Sequence, residues 1–180
     1  MQSQPVRFTV QTPLPCGPVD VIVTDVGVAR VSFFGPRDRP TVDSPVVADD
    51  PRVGRVRQAL ADYFAGRTGG LDLPVDWRHT SGPQQEVLRT LHAQVGFGET
   101  VTYGELARRS GAFEDDPEPA MVPRTVGTIM GSNPVPLVVP CHRVVASNGL
   151  GGFTGGLAIK QWLLTLEGVL APTLDWAPAE

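Results

Sequence analysis

Three prolines within seven residues, Pro134, Pro136 and Pro140, constrain this chain more than any other feature. Each lacks an N–H donor and biases the residue before it toward extended geometry, so residues 133 to 145 cannot form a helix and are expected to run extended. Val135, Leu137, Val138 and Val139 make the run apolar and buried, and it delivers Cys141, His142 and Arg143 just before a second apolar pair, Val144 and Val145. The pattern is a rigid apolar arm ending in a thiol, an imidazole and a guanidinium.

A cysteine attacks as its thiolate, and a neighbouring imidazolium or guanidinium lowers a thiol's pKa electrostatically. The competing reading makes Cys141 a small core hydrophobe, the commoner fate of a free cysteine. Neighbours on an extended backbone point to opposite faces, so a catalytic His142 is expected to reach Cys141 through a water rather than directly.

At 180 residues and 41% hydrophobic, the chain is long enough for one large or two small domains with a real core. It has no run of 18 apolar residues and no signal-peptide pattern at its start, which leads us to expect a protein of the cytoplasm, or of the nucleus in a eukaryote, with no membrane association. Two cysteines, Cys16 and Cys141, make no disulfide framework, and with His79, His92 and His142 they match no zinc spacing, so neither a metal nor a cofactor is expected. The net charge of −4 argues mildly against nucleic acid. Four of the acids in residues 81 to 170 fall in one short stretch, however: Glu114, Asp115, Asp116 and Glu118 turn a net +2 into −2.

The first 80 residues are expected to form a small α/β domain of antiparallel strands and one helix. Val6 to Val10, Val19 to Thr24 and Val28 to Phe34 are β-branched and aromatic runs, with a tight turn at Asp25 to Gly27. Val53, Val56, Leu60, Tyr63 and Phe64 recur at helical spacing before Gly66. Asp20, Asp25, Asp43, Asp49 and Asp50 are scattered in the manner of turn residues rather than metal ligands. A short extended piece, Leu71 to Trp77, leads to a boundary near residue 80.

The second domain, 81 to 172, reads as mainly helical. Ser81 with Gln84 and Thr102 with Glu105 have capping-box spacing, Gly111 should stop the second of these helices, and Pro123 suits the first turn of a third that runs toward Gly131. Two short helices with an arginine near the start of the second give the outline of a helix-turn-helix, although the connection, Ala112 to Val122, is long and acidic. Leu157 to Leu170 should be a buried closing helix. Glu167 near its end is disfavoured by the helix dipole and calls for a partner. Residues 173 to 180 should be a loose tail.

Asn133-Pro134-Val135-Pro136, Pro140-Cys141-His142-Arg143-Val144-Val145, Gly155 to Leu164 and Glu167-Gly168 resemble the O6-alkylguanine-DNA alkyltransferases. Gly98-Glu99, Thr102 to Ala107 and Arg124-Thr125-Val126-Gly127 are similar to the same family in the same order, whereas residues 1 to 80 match mainly through Tyr63-Phe64-Ala65-Gly66. The resemblance implies an α+β protein with a ribonuclease-H-like N-terminal domain and a C-terminal domain carrying a winged-helix-like helix-turn-helix. It implies a monomer that acts on double-stranded DNA containing O6-alkylguanine and on O4-alkylthymine. The alkyl group moves irreversibly to the protein itself from a base rotated out of the duplex, where its target atom is otherwise unreachable.

Carried over by position, Cys141 is the acceptor, His142 its base through a water, and Glu167 the residue that orients His142. Tyr103 presses on the target nucleotide's phosphate and helps protonate the leaving guanine, while Asn133 braces the recognition helix against the cysteine loop. Arg124 fills the gap in the base stack, with Thr125, Gly127 and Gly131 on the same DNA-facing helix. The base pocket is implied to lie between Met130, Val144 and the flap Gly152, Phe153, Thr154 and Gly155, with Thr154 donating to the guanine O6. Two other classes stay open: a cysteine hydrolase built on Cys141 and His142, and a non-transferring helix-turn-helix regulator or lesion binder.

Overall fold

The computed structural model describes residues 4–33 and 49–172. Three β-rich runs pair as an antiparallel meander, β1 (Val6–Val10), β2 (Val19–Val23) and β3 (Val28–Phe33), with β2 in the centre. Val6 faces Val23 and Val10 faces Val19 across the first ladder, and Val19 faces Phe33 across the second. The expected turn at Asp25 to Gly27 is closed by Thr24 N donating to the Gly27 carbonyl at 2.9 Å. Leu71 to Trp77 joins the sheet through an isolated parallel bridge between Val75 and Val28 and becomes a 3-10 turn at Trp77–His79. Phe34, Asp43 and the expected tail at 173 to 180 lie outside the described residues.

Helix α1 (Pro51–Phe64) starts where Asp50 accepts from Arg52 N and Pro51 takes the first turn. Its stripe of Val53, Val56, Leu60, Tyr63 and Phe64 is buried, each side chain worth about 2 kcal/mol relative to exposure.

In the second half, α2 (Gly82–Gln94), α3 (Tyr103–Ser110) and α4 (Val122–Gly131) pack together. The capping box expected at Ser81 does not form, because the Gln84 amide instead donates to the Ser132 hydroxyl and carbonyl. At Thr102 only half of the box exists: the hydroxyl accepts from Glu105 N, while the Glu105 carboxylate pairs with Arg109 on the exposed side. Gly111, at φ +67°, ends α3 in the left-handed conformation.

Two-residue strands β4 (Val101–Thr102) and β5 (Val144–Val145) pair in parallel, which pins the start of α3 to the chain just after Cys141. The closing helix α5 (Leu157–Leu166) stops four residues earlier than the apolar pattern suggested, with Glu167 as its cap. One continuous cluster of buried side chains runs through both halves, and Val31 N donates to the Pro134 carbonyl between the sheet and the proline-rich segment.

Candidate active site

The prolines do exclude a helix, but the segment they occupy is a turn rather than an extended arm. Val139 N donates to the Val135 carbonyl, Leu137 has φ +74°, and Cys141–Arg143 form a single 3-10 turn with Arg143 N bonded to the Pro140 carbonyl. A strand would have needed ladder partners that proline cannot supply, whereas Asn133 provides local ones. Its side-chain oxygen accepts from Val135 N at 3.0 Å, and its amide nitrogen donates to the Val139 carbonyl at 2.9 Å. Asn133 follows the end of α4 directly, so one side chain ties the cysteine loop to that helix.

Cys141, His142 and Arg143 are all buried, and so is Glu167. The Glu167 carboxylate is the hub of the site. Oε1 accepts from His142 Nε2 at 2.8 Å, from Arg143 Nη2 at 2.9 Å and from the Tyr63 hydroxyl at 2.6 Å. Oε2 accepts from Arg143 Nε at 2.9 Å and more weakly from Gly98 N at 3.4 Å. The partner that the helix-end position called for is therefore a set of four residues. Gly98 belongs there because its φ is +77° and a Cβ would lie 3.1 Å from the Glu167 carbonyl.

These donors outweigh burial and hold the Glu167 carboxyl down at about 2, so it can only accept. His142 Nε2 must then carry the hydrogen and its lone pair sits on Nδ1. Nδ1 is buried and has no protein partner among the described residues. Burial also keeps the imidazole's pKa low, which preserves a neutral base.

The thiol does not behave as its two neighbours suggested. Burial pushes Cys141 up to about 11, against the lowering effects of Asn133 and Lys160, and the Arg143 charge is already committed to Glu167. Cys141 therefore rests as a thiol and needs a base to become a nucleophile.

Seven residues named from sequence, Tyr103, Gly127, Met130, Gly131, Gly152, Phe153 and Thr154, line one cavity of about 230 Å³ together with Cys141. The Tyr103 ring lies against Gly127 and against Gly151, where φ is +71° and a Cβ would fall 2.6 Å from the hydroxyl. Phe153 packs on Phe33 of β3 at 5.6 Å between ring centroids. The Thr154 hydroxyl donates to the Gly131 carbonyl at 3.1 Å, so its donor is engaged with the end of α4 rather than free for a ligand. Val144 is buried and Gly155 sits between Phe153, Phe33 and Ile159, neither lining the cavity. Arg124 and Thr125 are exposed in the first turns of α4, and neither lines the cavity. No group of three or more His, Cys, Asp or Glu side chains among the described residues is placed to hold a metal.

Residues 83–169 match the family model of the 6-O-methylguanine DNA methyltransferase DNA-binding domain. The human methylated-DNA–protein-cysteine methyltransferase is 45% identical, over 90% of this chain and 80% of that protein. The chain belongs to the methylated-DNA–protein-cysteine methyltransferase family. A member from Metallosphaera sedula is 34% identical over 87% of this chain and 90% of its own length. A Thermus thermophilus relative named a DNA base-flipping protein is 37% identical, covering 88% and 98%. Among solved structures, Mycobacterium tuberculosis OGT in complex with DNA superposes with a TM-score of 0.72 at 30% identity, over 90% of this chain and 92% of that one.

Within this methyltransferase fold, sequence reasoning did not find three buried polar groups of the site. By periodicity Tyr63 reads as one more apolar position in the α1 stripe, and by position Arg143 reads as a charge for the thiol. Lys160 is fully buried and donates to the Val144 carbonyl at 2.7 Å and the Gly152 carbonyl at 3.0 Å, joining β5 to the flap. Burial pulls its pKa down to about 8. The signal for Lys160 was present: a lysine amid Leu157, Ile159, Trp162 and Leu163 has no solvent to reach unless it snorkels.

Proposed function

We propose that this protein repairs DNA by moving an alkyl group from O6-alkylguanine, and from O4-alkylthymine, to its own Cys141 in a single irreversible turnover. The observation that carries the reading is Cys141 on the wall of the small cavity, next to an imidazole whose Nε2 is fixed on Glu167 and whose Nδ1 is left as the base.

In the proposed reaction, His142 Nδ1 takes the Cys141 proton through a bridging water. The thiolate then attacks the alkyl carbon: the S–C bond forms as the C–O bond breaks, the electron pair leaves on the guanine, and a proton delivered by way of Tyr103 neutralises it. Attack by a buried thiolate is favoured because water no longer solvates it. The thioether that forms has no route back to a thiol, which makes the protein its own stoichiometric reagent.

The same reading assigns α4 to DNA, with Arg124 in the gap left by the flipped base and Thr125, Gly127 and Gly131 along the backbone. Met130, Val144, Gly152, Phe153 and Gly155 shape the base pocket, and Thr154 releases Gly131 to donate to O6. Asn133 keeps α4 and the cysteine loop in register. We take α3 and α4 with β4 and β5 as a winged-helix-like helix-turn-helix in a domain spanning 81–172, and residues 1–80 as a ribonuclease-H-like domain, the protein acting as a monomer on duplex DNA in the cytoplasm or nucleus.

The test is incubation of fresh, reduced protein with a duplex containing one O6-methylguanine, followed by intact and peptide mass. One adduct of about 14 Da, a methylene, on the Cys141 peptide with no further turnover is expected. Unmodified protein alongside intact O6-methylguanine would overturn the reading.

A further inference from the structure

The Glu167 carboxylate receives one hydrogen bond that neither the acceptor cysteine nor its base requires. Tyr63 lies in the last turn of α1, in the first half of the chain, and its hydroxyl reaches Glu167 Oε1 across 104 positions of sequence at 2.6 Å, the shortest contact to that carboxylate. The ring is 1% exposed and wedged edge-on against Phe64 and Phe97, at centroid distances of 5.4 and 6.2 Å. A hydroxyl so enclosed cannot turn to another acceptor without leaving the carboxylate.

Oε1 is also the atom on which His142 Nε2 rests. Tyr63, His142 and Arg143 Nη2 share this one oxygen and compete for the same electron density: the more strongly Tyr63 donates, the less that oxygen stabilises positive charge on the imidazole. We propose that Tyr63 is a positioning residue of alkyl transfer, whose hydroxyl on Glu167 Oε1 sets the proton affinity of His142 and so makes the first half of the chain part of the reactive site. The proposal rests on the transfer function described above and adds a role for α1 within it.

The other charged or titratable groups around His142 are few and stay in place when Tyr63 changes. Arg143, next in the same turn, holds Glu167 through Nε and Nη2 and the Val95 carbonyl through Nη1. Lys160 of α5 is fixed on the Val144 and Gly152 carbonyls, and Cys141 is the remaining titratable neighbour. Arg143 and Lys160 both oppose charge on the imidazole, and among the described residues Glu167 is the group that favours it. Loss of the Tyr63 hydroxyl therefore acts in one direction: Glu167 leans more heavily on His142, and the imidazole holds its proton to higher pH.

The experiment is the pH profile of single-turnover transfer from an O6-methylguanine duplex, measured for the wild-type chain, for Tyr63→Phe and for the chain with 3-fluorotyrosine encoded at position 63. The acidic limb reports the coupled Cys141–His142 pair. Tyr63→Phe should move that limb upward by about half a pH unit, and the more acidic fluorophenol should move it downward while preserving the packing. A structural role alone would lower the melting temperature and the rate at every pH without moving the limb. Unmoved limbs in both proteins, or an unmoved limb for fluorotyrosine if Tyr63→Phe does not fold, would overturn the proposal. Failure of the wild-type chain to transfer at all would instead refute the function on which it rests.

Discussion

Replacing Glu167 with Gln keeps the size and one acceptor oxygen but removes the charge on which the buried cluster is built. Arg143, only 6% exposed, loses its one carboxylate partner among the described residues. Removing one member of a buried ion pair costs about 3–5 kcal/mol. The carboxyl's own equilibrium gives a second figure: a fall from the ordinary 4.5 to about 2 is worth roughly 3 kcal/mol at about 1.4 kcal/mol per pH unit. Because folding lowers this pKa, the stabilisation is complete above about pH 5 and disappears as the pH falls through about 2.

Urea unfolding at pH 7 and again at pH 3 measures the effect. Glu167→Gln should lose about 3 kcal/mol at pH 7, on the order of 10 °C in melting temperature for a chain of this length, and the gap to wild type should narrow at pH 3. Transfer should fall with it, since an amide can donate as well as accept and no longer forces the hydrogen onto His142 Nε2. A variant within 1 kcal/mol of wild type at pH 7, or a gap unchanged by acid, would refute this account of the hub.

Arg124→Ala should lower transfer from duplex DNA at least tenfold relative to transfer from the free modified base, because stack filling matters only in the duplex; equal losses on both substrates would remove that role. Gly151→Ala should impair transfer by displacing Tyr103, whose hydroxyl would lie 2.6 Å from the new Cβ, whereas Gly149→Ala, with nothing within 4 Å, should not; equal rates for the two variants would detach Tyr103 from the reaction. Neutralising Glu114, Asp115, Asp116 and Glu118 together should tighten duplex binding roughly tenfold at low salt and less at high salt. Unchanged affinity in a filter-binding or anisotropy titration would place the connection away from the phosphates.

What could be read from the sequence was what local chemistry dictates. The three strands, the α1 stripe, the Gly111 stop and the start of α4 at Pro123 follow from periodicity and capping, and the structure has them within a residue or two. The 133–145 segment differed because proline excludes a helix without specifying what replaces it. Asn133 tips the balance through two backbone bonds, the i+2 contact to Val135 N that asparagine favours and a second to the Val139 carbonyl that only the closed turn provides. The capping boxes failed where the second residue found a better partner at a distance, Ser132 for Gln84 and Arg109 for Glu105. In the site, Cys141 and His142 stood out by their context, but the assembly around Glu167 draws on residues 63, 98, 142 and 143, and only the folded chain shows that their donors converge. The thiol's resting state departs from the sequence pattern for the same reason: the guanidinium near it in sequence is committed to Glu167 in space.

The convergence on Glu167 also has a bearing on how the chain comes to be active. Its donors come from the end of α1, from the stretch before β4 and from the turn after the prolines, so the complete cluster exists only once all three have folded together. Assisted reactivity of Cys141 is thus a property of the folded molecule, graded by how much of the cluster is in place. A chain still emerging from the ribosome, or one opened by heat, carries a thiol of ordinary acidity without the base and the cavity that would direct it to one kind of alkyl group, so selectivity as well as assistance arrives with the fold.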